Sequence, residues 1–195
     1  LLANSSTLHA VTEKMALYLQ HYPNINIDVE EKLSEKIVWD VLDGVADVGL
    51  IAGDIDIRGL EHASFGMDEL VFIVSKEHML AKQHSVRFRE AMHYDMVAAG
   101  KKSSNFLFIN NLAKKYNSSL RVRVHSQNFY SMISCVKKNV GIAMVPLSAV
   151  TNDIIDNVVV VKIDEKWSSR DQQIIYKKSS LDTSFISMFI DSLKQ

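Results

Sequence analysis

The sequence predicts an α/β protein of two lobes, on three observations. Amphipathic helices alternate with short apolar strands in the first third of the chain, and the alternation returns in the middle. Two segments, 46–51 and 141–146, are almost continuously apolar, as strands covered on both faces are. Charge also separates along the chain. Residues 28–69 hold twelve acids against three bases, a balance of −9, and residues 96–152 hold eight bases and no acid. The 195-residue chain has a net charge of only −1, so its local fields are large and opposite in sign.

The first element is the turn Asn4-Ser5-Ser6-Thr7, which opens onto a helix over 8–22 with Leu8, Val11, Met15 and Leu19 as its apolar stripe. Pro23 stops it. Residues 25–30 alternate strictly and predict a half-buried strand. Ser34 is expected to cap a second helix with Ile37, Val38, Val41 and Leu42 inward and Gly44 at its end. The strand over 46–51 follows and ends in the loop Gly53-Asp54. This succession implies parallel strands joined by right-handed crossovers, with the loops after the strands at one edge. Ligands of open α/β sheets bind at that edge, which the Ser5-Ser6-Thr7 turn and the Gly53 loop would share.

An extended piece over 60–65 and a strong strand over 69–75 lead to a lobe boundary near Ser75, where composition turns from acidic to basic. The second lobe is expected to contain a helical turn over 86–92, strands over 96–99, 120–124, 141–146 and 157–163, and helices over 106–116 and 127–138. The polar loop Gly100-Lys101-Lys102-Ser103-Ser104 joins a strand to a helix, and His125-Ser126 occupies a similar turn. A strand over 172–176 and a helix ending at Leu193 complete the chain, with Phe185, Met188, Phe189 and Leu193 on one face of the helix.

The chemistry these residues allow is narrow. A helix start presents N–H groups and partial positive charge, so the Ser5-Ser6-Thr7 turn fits an N-cap at Ser5 or Ser6, capture of an anion, or both. No Gly-x-Ser-x-Gly elbow, Gly-x-Gly-x-x-Gly fingerprint or Walker loop occurs, which leaves hydrolase and nucleotide-binding readings without their residues. The seven histidines lack the spacing of a helical zinc site and Cys135 is alone, so no metal, cofactor or internal disulfide is expected. His125 reads either as a packing residue or as a ligand-facing group that titrates near neutral pH. Trp39, Trp167, Phe106, Tyr116 and Tyr130 read as packing residues, and Met92, Met96, Met132 and Met144 as core filler. No apolar run approaches the roughly 18 residues of a membrane span. A single thiol fits a reducing cytoplasm, and a start at Leu1 without Met reads as a piece of a longer protein.

The order of these features resembles one family. Ser6-Thr7, a helix ending in His21-Tyr22-Pro23, Leu42-Asp43-Gly44-Val45-Ala46-Asp47-Val48-Gly49-Leu50, residues 68–74, residues 76–81, and Val140 to Pro146 with Ser148 together resemble the effector-binding domain of LysR-type transcriptional regulators. No single motif is specific; the series over nearly the whole chain is. The resemblance implies a type 2 periplasmic-binding-protein fold, with lobe one formed by 1–75 plus 173–195 and lobe two by 76–172, each a mixed, mostly parallel sheet flanked by helices. It implies a cytoplasmic, non-enzymatic sensing domain that binds a small molecule between the lobes and pairs head to tail as a homodimer, with a tetramer also admitted. DNA would be bound only through a winged helix-turn-helix domain outside this chain. The effector site would draw on Ser5, Ser6 and Thr7 from lobe one and on Gly100, Lys101, Ser103, Ser104, His125 and Ser126 from lobe two. Many family members carry a Gly-Ser-Gly-Thr-like loop where this chain has Gly100-Lys101-Lys102-Ser103-Ser104, and the two lysines favour an anionic effector if they face it. An exported solute-binding protein and an enzyme on the same fold are the alternatives.

Overall fold

The computed structural model describes residues 1–126, 128–151 and 156–194, without the side chain of Ser5. Gln127, expected to open a helix, therefore lies outside the described residues. The chain forms two compact units, Leu1–Asp68 with Arg170–Gln195, and Glu69–Ser169. The first division falls a few residues before the composition change at Ser75, because Leu70 to Ser75 already ladder with strands of the second unit.

In the first unit, strands β1 (Leu2–Ala3), β2 (Glu30–Glu31) and β3 (Val48–Ala52) run parallel, with β1 between the other two. The strand at the end of the chain, Ser169–Tyr176, pairs antiparallel with β3. Helix α1 (Ser5–His21) and the last helix, Ser184–Lys194, cover one face; Val11, Tyr18, Leu50, Ile174, Phe189 and Leu193 form a core there. Helix α2 (Ser34–Leu42) covers the other face through Ile37, Val38 and Val41, packed on Ile51 and Ile175. Two covered faces explain why every residue of β3 is buried. Gly49 sits where a methyl group would come within 2.5 Å of Ile37 Cγ2, so α2 can lie this close only on a bare backbone.

In the second unit, the long strand β4 (Glu61–Ser75), which begins in the first unit, ladders antiparallel with β8 (Ala143–Pro146) and β9 (Val158–Ile163). Strand β5 (Ser85–Val86) runs parallel to β9, and β6 (Asp95–Ala99) parallel to β7 (Arg121–Ser126). Alternate residues of β4 serve opposite cores. Leu70, Phe72 and Val74 meet helix α3 (Phe88–Ala91) and helix α4 (Ser104–Lys115), whereas Val71 and Ile73 meet helix α5 (Phe129–Lys137). The strand Ser169–Tyr176 is β10 and the helix Ser184–Lys194 is α6. The four expected core methionines are all buried.

Several expectations change. The strand over 25–30 shrinks to Glu30–Glu31, since β1 offers only two residues to pair with, although Ile25 and Ile27 still pack on the core. The extended piece expected over 60–65 and the strand over 69–75 merge into one strand that begins at Glu61. Ser34 is the first helical residue of α2 and caps nothing; its hydroxyl accepts a hydrogen bond from Asn4 Nδ2 at 3.0 Å. On α6 the inward residues are Ile186, Phe189, Ile190 and Leu193, while Phe185 and Met188 are exposed. Three aromatic residues read as packing are exposed: Trp39, with the Arg58 guanidinium 4.3 Å from its ring, Tyr116, and Tyr130, which is 80% exposed. Trp167 does pack, edge-on to Phe88 and Phe108.

Candidate functional site

The α1 turn is capped by Asn4 rather than by Ser5 or Ser6. The Asn4 side-chain oxygen accepts from Ser6 N at 3.0 Å and Thr7 N at 2.9 Å. The Asn4 backbone N–H donates to Leu50 O at 3.1 Å. Three of the four N–H groups that a helix start leaves over are thus taken within the unit. Thr7 is fully buried, and its hydroxyl donates to Leu50 O at 3.1 Å. In this conformation Thr7 holds the turn onto β3 instead of presenting a hydroxyl. Ser6 is also buried, but its hydroxyl points to another group: it accepts from Arg170 Nη2 at 2.8 Å.

Arg170 begins the part of β10 that belongs to this unit. Its side chain crosses to the edge where β1 and β3 end. There it meets Ser6 in the turn after β1, and a methyl group added to Gly53, just after β3, would lie 3.7 Å from Arg170 Cδ. Burial pushes the Arg170 pKa down to about 10, and Asp68 opposes the shift. Asp68 accepts from Gln172 Nε2 at 3.3 Å, and both residues are buried. Burial also lowers the pKa of His9, again against the pull of Asp68. This polar group assembles where ligands of open α/β sheets bind.

In the second unit, Gly100 closes a turn by accepting from Ser103 N at 2.8 Å. Ser103 caps α4, its hydroxyl accepting from Phe106 N at 3.1 Å. Lys101 and Lys102 are exposed, and Ser104 is half-buried. Asn105, the next residue, is buried and donates to Met144 O at 3.0 Å. His125 lies on β7 opposite Ala98, and its Nδ1 is 2.9 Å from Ala99 O. A carbonyl only accepts, so Nδ1 carries the proton and Nε2 is left as the acceptor in the neutral ring. Phe106 stands edge-on to this imidazole at 4.7 Å. The Ser126 hydroxyl donates to Asn128 O at 3.0 Å, and Asn128 caps α5. His125 and Ser126, expected in a turn, are instead the last two residues of β7, laddered with Ala98 and Ala99, so they end beside the Gly100–Ser104 turn that follows the neighbouring parallel strand β6.

A cavity of about 320 Å³ in the first unit lies elsewhere. Leu2, Tyr18, Val48 and Phe189 are among its walls, with Asp28 and Asp47, so it sits where β1 and β3 begin. No residue of the α1 turn lines it. Among the described residues no group of three or more His, Cys, Asp or Glu side chains is placed to share a metal ion. No helix among them is long and apolar enough to cross a membrane.

A family model for the LysR substrate binding domain matches residues 2–195. The chain belongs to that family. Curated relatives of this LysR substrate binding domain include a probable RuBisCO transcriptional regulator of Thalassiosira pseudonana, 25% identical over 92% of the chain and 61% of the relative. A malolactic fermentation system transcriptional activator of Lactococcus lactis subsp. lactis is 26% identical over 69% of the chain and 46% of the relative. The chain therefore spans about six-tenths or less of the length of these relatives. The regulatory domain of CcmR from Synechocystis PCC6803, solved in complex with 2-PG, superposes with a TM-score of 0.82 at 16% identity, covering 99% of this chain and 93% of that one. The regulatory domain of MetR from N. meningitidis gives 0.83 at 17% identity, covering 99% and 90%. These likenesses establish the type 2 periplasmic-binding-like fold.

Sequence reasoning missed Asp68, Arg170 and Gln172. Arg170 is 164 residues from Ser6, and nothing in the local sequence around it marks a site. Asn4 carried a signal, since asparagine is among the strongest N-caps.

Proposed function

We propose that this LysR-type domain senses a small anionic molecule held between its two lobes, with Ser5, Ser6 and Thr7 contributing from lobe one and Gly100, Lys101, Ser103, Ser104, His125 and Ser126 from lobe two. The observation that carries the reading is the Ser6 hydroxyl, tied to a guanidinium at the carboxyl edge of the first sheet. Thr7 acts through the shape of the turn and Ser6 through its side chain. Two solved relatives hold small molecules, 2-PG in CcmR and shikimate in QuiR, which supports a small-molecule role here. The domain has no turnover of its own, works in the cytoplasm, and regulates transcription through a DNA-binding domain in the remainder of a longer protein. It pairs head to tail, the acidic first lobe of one copy against the basic second lobe of the other, a contact that opposite fields favour.

Thermal-shift screening against small organic acids and amino acids tests the sensing role. A ligand bound only by the folded form, at a hundred times its Kd, adds about 2.7 kcal/mol. A panel in which only neutral or cationic compounds stabilise the domain counts against an anionic effector. Sedimentation at low and high salt tests the dimer: salt is expected to weaken it, and a dimer indifferent to salt removes the charge argument.

A further inference from the structure

We propose that Arg170 is the residue of lobe one that pairs with the acid group of the effector, a carboxylate or phosphate, exchanging its hydrogen bond to Ser6 for one to the anion. The inference rests on the sensing role above and names the group that would make it selective for anions.

Several observations converge on Arg170. The helix start is largely self-satisfied, with Asn4 N, Ser6 N and Thr7 N already donating within the unit. Its remaining attraction for an anion is weak, so positive charge must come from a side chain. The segment 28–68 of this unit holds eleven acids against three bases, a balance of −8, and opposes an anion unless a cation stands at the site itself. Arg170 is that cation: its Nη2 reaches the turn after β1, and its Cδ lies beside Gly53 after β3, so the guanidinium stands at the ligand edge of the parallel strands. Ser6 is a neutral acceptor. A carboxylate or phosphate in its place makes a charge-assisted bond and matches the planar fork of the guanidinium, which favours the exchange. Asp68 supplies the balancing charge while no anion is bound.

The test uses this chain with inorganic phosphate and acetate as probes, each against chloride at matched ionic strength. Thermal shift gives the affinity, and the arginine side-chain Nε–Hε resonance in ¹H–¹⁵N spectra gives the place. One or both anions are expected to stabilise the protein and to move the Arg170 resonance; which one does so separates carboxylate from phosphate. Arg170→Gln is expected to weaken binding about ten- to hundred-fold, the loss of one charged hydrogen-bonding partner. Arg170→Lys, which keeps charge without the fork, should fall between the two, and it covers the case in which the glutamine variant does not fold. Arg58→Gln removes an exposed cation of the same unit and should bind as the parent does. If the parent binds an anion and both Arg170 variants bind it equally well, the assignment to Arg170 is overturned while the sensing role stands. If neither probe nor any acid in the wider screen binds the parent, the anionic reading itself falls and this inference falls with it.

Discussion

Replacing Asn4 by alanine should destabilise the first unit far more than an ordinary cap deletion. Asn4 is 3% exposed, and its side chain makes three hydrogen bonds, accepting from Ser6 N and Thr7 N and donating to Ser34 Oγ. Loss of an N-cap costs about 1 kcal/mol on its own. Ser6 and Thr7 are buried, so water does not replace the lost acceptor; a stranded buried donor adds about 1–3 kcal/mol. The sum is about 2–4 kcal/mol, or roughly a 4–16 °C drop in Tm for a chain of this size. Asn128→Ala is the matched control. Asn128 is exposed and its side-chain oxygen accepts from Ser131 N at 2.8 Å, a bond that water can replace, so the loss should stay at about 0.5–1 kcal/mol. Asn4→Asp keeps the acceptor and adds a negative charge that the helix dipole favours, so it should recover much of the loss. Calorimetry on the three variants decides the matter. Equal destabilisation by Asn4→Ala and Asn128→Ala would show that burial of the first cap contributes nothing, and the reasoning would be wrong.

Gly49→Ala should cost about 1–3 kcal/mol by overpacking, since its methyl group would fall 2.5 Å from Ile37 Cγ2 and 2.8 Å from Ile175 Cγ1; urea unfolding measures it, and a neutral result would mean α2 shifts freely. Gly141→Ala should be worse, because the new methyl meets backbone, Asp95 O at 2.5 Å, which no rotamer change relieves; loss of soluble protein or a Tm fall exceeding that of Gly49→Ala is expected. Asp40 has its carboxylate pKa held below the ordinary 3.8 by hydrogen bonds from Lys36 and Lys32, against the opposing effect of burial. Its folded pKa is depressed, so its stabilisation is fully present above pH 3.8 and disappears as pH falls through the folded value. Denaturant melts from pH 6 to 3 should therefore show wild type losing its advantage over Asp40→Asn only below pH 3.8, and a parallel pair of curves would refute the linkage.

What the sequence made legible follows from how local each signal is. Period and punctuation are local, so α1, α2, α4 and α5 fall within a few residues of where their apolar stripes and turn residues put them. The buried strand β3 was readable because two covered faces leave no polar positions. The strand over 25–30 was misjudged because its length depends on its partner, and β1 has two residues to offer. Trp39 and Tyr130 were misjudged because hydrophobic identity says little about whether a neighbour is present to cover it. Ser34 was taken for a cap on local grounds, while its hydroxyl answers to Asn4, thirty residues away.

The candidate site shows the same limit in sharper form. Its backbone half, the turn after β1, was visible as small polar residues between a strand and a helix. Its charged half was not, because Arg170 and Asp68 come from the two strands that carry the chain between units, and only folding brings them to Ser6 and Gln172. That origin has a consequence under the proposal. Asp68 is the last residue of the first unit on β4, and Arg170 is the first to return to it on β10. An anion that draws the guanidinium from Ser6 and competes with Asp68 therefore acts on both connections at once, with its largest effect where the chain passes from one unit to the other. A lysine from a surface loop would bind the same anion without that leverage, since its charge would move with the loop alone. Under the proposal the leverage belongs to position 170 rather than to the guanidinium, so Arg170→Lys, which keeps a cation on the same strand, should weaken the response to the anion only as far as it weakens binding.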